Sequence, residues 1–160
     1  MKTRSLRTFV YLTGVFGLLV SIYAGLETLD ASLRSSCTVN SFFSCSAVDA
    51  SGKTSTLGIP DAAIGIAGFV LIIIVAALAE QHSRDLRYLY ALLVFTTGGV
   101  AFASYFAYVE IAEIRALCPV CTAAYIFGIL VWIGSIALTL RVRQRLDRIG
   151  ALPAPRSAKN

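Results

Sequence analysis

Four stretches of this chain are each long and apolar enough to cross a bilayer, and no other feature restricts its fold as much. A span takes about 20 mostly apolar residues to cover roughly 30 Å of hydrocarbon. The stretches run over about 8–26, 60–79, 88–108 and 119–140, and the second contains Phe69-Val70-Leu71-Ile72-Ile73-Ile74-Val75 unbroken. Helices are the expected form, because an open sheet would leave backbone groups unpaired in lipid. Of the 160 residues, 57% are hydrophobic and 14% charged. Soluble domains run at about 45–50% and about 25%. A compact soluble domain could not hide that much apolar surface, and a disordered chain would not carry it. The expected fold is an all-α integral membrane protein, a four-transmembrane-helix bundle over residues 1–145, with a basic tail over 146–160. Gly65, Gly68, Gly98, Gly99, Gly128 and Gly134 suit close helix–helix contact.

Lys and Arg cluster on one side of the expected membrane. Lys2, Arg4 and Arg7 precede the first span, Arg84 and Arg87 follow the second, and Arg141, Arg143, Arg145, Arg148, Arg156 and Lys159 follow the fourth. The other side holds Arg34, Lys53 and Arg115. Both termini are therefore expected in the cytoplasm and both other loops outside it. The first span could be read as a cleaved signal peptide, but its apolar run is long and has no clear small-x-small site, so a retained span is expected. The net charge of +5 sits at the chain ends. That reads as a topology signal touching anionic headgroups, with no nucleic-acid partner.

The four cysteines are Cys37, Cys45, Cys118 and Cys121, and none lies deep in an apolar run. By this topology all face the oxidising side, where disulfides persist. Cys118-Pro119-Val120-Cys121 is a C-x-x-C opening the fourth span. Proline suits a first helical position, and the unpaired N–H groups and positive dipole end there favour a thiolate. A lowered thiol pKa makes a better nucleophile or leaving group. Cys37 and Cys45 share a Ser-rich loop. If mobile, that loop could meet a soluble partner and then swing to the membrane-embedded pair. Two structural disulfides, or a four-cysteine zinc site, are the other readings of four such residues. Zinc sites usually show two short ligand spacings, and only one spacing here is short, so no metal is expected.

With these residues in place, the chain resembles the vitamin K epoxide reductase family of membrane quinone reductases in its prokaryotic form. A spaced cysteine pair follows the first span and a C-x-x-C opens the last. Cys45-Ser46-Ala47-Val48-Asp49-Ala50-Ser51 is similar to the family's cysteine-to-serine segment, and Leu57-Gly58-Ile59-Pro60 with Gly65 to its second-helix start. DsbB-type quinone reductases also have four helices and four cysteines, but with the two pairs in the opposite order. The resemblance implies an outer loop capping the site and a quinone substrate: ubiquinone, menaquinone or another naphthoquinone. It also implies a thioredoxin-like (DsbA-like) extracytoplasmic partner. The chain is too short to include a fused thioredoxin domain, so that partner is expected to be separate.

The resemblance also implies roles. The partner attacks the Cys37–Cys45 disulfide at Cys37, and Cys45 attacks Cys118. Cys121 is left as the thiolate facing the quinone, and the Cys118–Cys121 bond then re-forms. Tyr125, one helical turn past Cys121, matches the family's quinone-side tyrosine. Asp61 stands where the family often has Asn contacting a quinone oxygen; it could equally satisfy backbone N–H groups at a helix start. The human epoxide-reducing enzymes keep that Asn, so epoxide reduction is not part of the expectation. Ser51 is a candidate support for the ring or the loop. Phe42 and Phe43 read as interfacial anchors, Trp132 as packing, and Glu110 and Glu113 as solvated end charges open to a proton path. His82 lies on the cytoplasmic side, away from the cysteines. A non-enzymatic scaffold stapled by two disulfides is the competing function class.

Overall fold

A computed structural model describes residues 3–52, 55–56, 59–82 and 85–149. Lys2, Lys53, Leu57, Gly58, Arg84 and the tail from Gly150 lie outside the described residues. The chain is almost wholly helical, and four helices are long and apolar enough to span a membrane. They are α1 (Thr3–Leu29), α4 (Asp61–Gln81), α5 (Leu86–Tyr108) and α6 (Pro119–Arg148). Each helix overlaps one of the four apolar stretches and runs past it at one or both ends into more polar residues. α1 packs against α4 and α6, and α5 against the same two, so the four helices form a closed ring with α1 and α5 on the diagonal.

Between α1 and α4 the outer loop holds two short helices, α2 (Ala31–Ser36) and α3 (Cys45–Ala50), and a two-stranded hairpin of β1 (Ser55–Thr56) and β2 (Ile59–Pro60). Local polar residues start both helices. Asp30 caps α2 by accepting from the Ser32 N–H, and Ser44 caps α3 by accepting from the Ala47 N–H. Asn40 folds the chain between them, its side-chain oxygen accepting from the N–H groups of Phe42 and Phe43. Thus the Ser-rich loop is built from capped helices and an Asx turn.

Apolar packing is concentrated in the half of the bundle away from the cysteines. One cluster joins Leu6, Ala79, Leu89, Leu138, Val142 and Leu146; the next joins Val10, Phe69, Ile72, Val75, Leu92 and Val131. Thr96 and Ser135 share a buried hydroxyl bond at 3.0 Å between α5 and α6. The Trp132 indole N–H donates to Thr97 across the same interface, in keeping with a packing role. His82 stacks on Tyr88 at the end opposite the cysteines.

The glycines divide in a way their spacing does not reveal. A side chain at Gly134 would meet Val10 Cγ2 at 2.8 Å, so α1 and α6 do need a glycine there. Gly17, absent from that set of glycines, lets the Phe69 ring of α4 pack directly against α1. Gly65 approaches only the Ser21 hydroxyl, and at Gly68, Gly98, Gly99 and Gly128 an added Cβ would meet nothing within 4 Å. These last four are not helix contacts: they line an open cavity.

Candidate redox site

Above the second apolar cluster the helices part around a cavity of about 790 Å³ with mostly apolar walls. That is within the roughly 300–1,000 Å³ usual for small-ligand sites. Gly68, Gly98, Gly99 and Gly128 keep its walls thin. Its outer end is closed by a third cluster: Cys37, Cys45, Val48, Ala116 and Cys118.

One backbone element brings the two cysteine pairs together. Phe43 and Leu117 form a parallel bridge, with Ser44 N–H donating to the Leu117 carbonyl at 3.0 Å and Leu117 N–H donating to the Phe42 carbonyl at 2.7 Å. Cys45 comes just after Ser44 on one side and Cys118 just after Leu117 on the other. Their sulfurs lie 3.2 Å apart. Cys37 and Cys45 are disulfide-bonded with Cα atoms 5.7 Å apart, while Cys118 and Cys121 are free thiols. Three sulfurs are thus already in reach of one another, and transfer between the pairs needs no long swing of the loop.

Cys118 is the N-cap of α6, with Pro119 at the first helical position, as the C-x-x-C motif predicts. Its sulfur accepts from the Cys121 N–H at 3.3 Å. The hydrogen bond with the Cys121 thiol, helped by that N–H, holds the Cys118 thiol below its ordinary range, against burial and the charges of Glu110 and Glu27. A depressed pKa keeps the thiolate as pH falls below the usual thiol range; the thiolate is lost only when pH passes the lowered value. Titrating the thiolate by its ultraviolet absorbance, with Cys37 and Cys45 disulfide-bonded, should give a midpoint for Cys118 below that of a free cysteine. Cys121→Ala should raise it, since one of its two hydrogen bonds is lost.

Of the other expected site residues, Tyr125 and Asp61 line the cavity, Asp61 in the first turn of α4. Ser51 does not line it: the serine ends α3 and donates its hydroxyl to the Val48 carbonyl at 2.6 Å. The structure therefore gives it a place in the loop and none on the cavity wall. Phe42 and Phe43 point outward, edge to face, while their backbone carries the bridge to Leu117.

Two acidic residues depart from expectation. Glu110 is no solvated end charge; it is 3% exposed. It follows the buried Phe106 by one turn in a π-helical segment, Val109–Ile114, that ends at Arg115 in the left-handed region (φ 57°). The chain then folds back so that Glu110 Oε2 accepts from the Cys118 N–H at 3.1 Å and Oε1 from the Tyr125 hydroxyl at 2.8 Å. Glu113, three residues on, is exposed as expected. Glu27, which sequence reasoning passed over, is buried at the end of α1, with its carboxylate and the sulfurs of Cys37, Cys45 and Cys118 all within 4.8 Å of one another. With Cys37 and Cys45 bonded to each other, two of those sulfurs are not thiolates, so the group has the donor chemistry of disulfide exchange. The signal for Glu27 was an acid in the last turn of an apolar helix.

A four-helix membrane bundle with a disulfide in sulfur contact with a C-x-x-C, above an apolar cavity, defines a membrane thiol–disulfide oxidoreductase. A sequence profile of the Vitamin K epoxide reductase family matches residues 8–136. The chain belongs to that family, whose members act on quinone-type substrates and work with thioredoxin-like partners. No curated protein matches the chain.

Proposed function

We propose that this protein carries electron pairs from a thioredoxin-like protein outside the cytoplasm to a quinone, and so supports disulfide formation there. The observation that carries the reading is the 3.2 Å contact between Cys45 and Cys118, which links the bonded loop pair to the C-x-x-C above the cavity. The one-sided distribution of Lys and Arg supports cytoplasmic termini and extracytoplasmic cysteines.

The partner's dithiol reduces the Cys37–Cys45 bond, starting at Cys37, and is itself oxidised. The Cys45 thiolate attacks Cys118 Sγ, forming the Cys45–Cys118 bond and breaking Cys118–Cys121. Cys37 then attacks Cys45 and expels Cys118, a good leaving group for the reason given above. The electron pair now rests on Cys118 and Cys121. Cys121, on the cavity wall, passes it to the quinone ring as the Cys118–Cys121 bond re-forms, and the quinone oxygens gain two protons. Tyr125 and Asp61 bond those oxygens, and Ser51 supports the capping loop through Val48.

The test is quinone reduction by the purified protein in detergent, with either a reduced thioredoxin-like protein or a small dithiol as donor. Cys37→Ala should lose nearly all turnover with the protein donor and retain it with the small dithiol, which reaches the C-x-x-C directly. A Cys37→Ala variant as fast as wild type with the protein donor would refute the two-pair order. Failure of every quinone and donor to turn over, with disulfides resisting mild reduction, would favour the scaffold.

A further inference from the structure

Oxidising a dithiol releases two protons, and reducing a quinone consumes two. In this site the donor sulfurs and the cavity lie beneath a capping loop, with mostly apolar walls around them. One side chain bridges the gap. Glu110 is pinned by the Cys118 backbone through Oε2 and by the Tyr125 hydroxyl through Oε1, so a single carboxyl group joins the C-x-x-C to the tyrosine on the cavity wall.

We propose that Glu110 is the proton carrier between the thiol pair and the quinone, acting through Tyr125. This rests on the quinone-reductase reading and deepens it. As the Cys118–Cys121 bond forms, two electrons go to the quinone, and one thiol proton goes to the Glu110 carboxylate. Protonated Glu110 reverses its hydrogen bond, donating to the Tyr125 oxygen while the Tyr125 O–H turns to a quinone oxygen. That oxygen takes the Tyr125 proton and Tyr125 takes the Glu110 proton, so both side chains end as they began. Cys118 is held as the thiolate and brings no proton, so the second one enters from the outer side by Asp61, which lines the same cavity at the start of α4. The groups facing Glu110 are Cys118, Cys121 and Tyr125 from the C-x-x-C side and Asp61 from α4, while Glu27 of α1 lines the same cavity. Asp49 of α3 lines the same cavity. Among these, Glu110 is the one bonded at once to the C-x-x-C backbone and to the tyrosine.

The experiment separates the two half-reactions in the full-length protein. Pre-reduced wild type, Glu110→Gln, Glu110→Asp and Tyr125→Phe are mixed with a short-chain benzoquinone or naphthoquinone, and quinone absorbance is followed in a single turnover. Reduction of the protein disulfides by a small dithiol is timed separately. Gln keeps the size and an acceptor oxygen but holds no transferable acid proton. Glu110→Gln should slow the quinone step by about 100-fold, the scale of one general acid–base group, and leave the dithiol step within a factor of about three. Its solvent deuterium isotope effect should rise as proton delivery becomes limiting, and Glu110→Asp should recover part of the rate. Tyr125→Phe breaks the same path at its other end, and the double variant should be little slower than either single one. That arm also serves if Glu110→Gln fails to fold, through the isotope effect of Tyr125→Phe. Wild-type quinone rates in Glu110→Gln would overturn the proposal. So would equal losses in both half-reactions, since Glu110 would then only brace Cys118. A wild-type protein whose thiols no quinone oxidises would instead sink the underlying quinone reading.

Discussion

Cys121→Ala is expected to abolish quinone reduction with every donor while the bundle stays folded. The loss should exceed about 100-fold, because the residue is part of a covalent relay and no neighbour can replace its sulfur. Its thiol lines the cavity in the first turn of α6, packs only at the edge of the outer cluster and belongs to neither of the deep apolar clusters, so truncation should leave the bundle's main packing in place. The same variant exposes the relay's intermediate. With Cys121 absent, a Cys45–Cys118 bond cannot be resolved from the C-x-x-C side. Adding Cys37→Ala removes resolution from the loop side too. The double variant should collect as the Cys45–Cys118 cross-loop disulfide under mild oxidation, seen as a mobility shift in a non-reducing gel, because the sulfurs start 3.2 Å apart. Full turnover in Cys121→Ala, or a double variant that stays reduced, would contradict the order of transfer drawn here.

The second large effect is expected at a glycine seven residues past Cys121 on the same helix and the same cavity wall. Gly128 lies three residues past Tyr125 on α6, on the cavity wall, with nothing within 4 Å of an added Cβ. Gly128→Leu should fill that space and slow quinone reduction by about 10- to 100-fold, since small misplacements of a reacting ring carry penalties of this size. Small-dithiol reduction of the disulfides should be unchanged. Thermal stability in detergent should hold or rise, because leucine is a better helix former than glycine by about 1 kcal/mol. Gly17→Ala is the contrast. Its added methyl runs into the Phe69 ring between α1 and α4, and it should lose about 1–3 kcal/mol of stability as an overpacking change. If Gly128→Leu reduced quinone at the wild-type rate, this cavity would not be where quinone binds.

Much of this site is legible in the order of residues alone. Apolar length alone marks the spans, because lipid admits only internally bonded backbone. Cys118-Pro119-Val120-Cys121 carries its own local geometry: proline starts the helix, and Cys118 falls at the cap. Helical period puts Tyr125 one turn past Cys121, and the family resemblance is what suggests a quinone-side role for it. Glu110 and Glu27 were misread or missed because an acid near the end of a span looks the same whether water or a returning loop covers it. Only the chain fold-back after Arg115 buries Glu110, and only the docked loop buries Glu27. The glycines show the same limit. A small residue on a membrane helix permits either a close neighbour or a void, and Gly134 and Gly128 read alike until the facing helix is known.

The amino-acid sequence by itself determined the class of fold, the two cysteine pairs and the thiolate-favouring cap at Cys118. Each of these depends on a chain neighbour or on the bilayer, and both are implicit in the order of residues. The tertiary structure alone decided that Cys45 meets Cys118 through the Phe43–Leu117 bridge, that Glu110 joins Cys118 to Tyr125, and which glycines open a cavity. Those contacts range in separation from 8 residues for Glu110 and Cys118 to 73 for Cys45 and Cys118; they are set by how four helices and two loops close on one another, and no local periodicity encodes them.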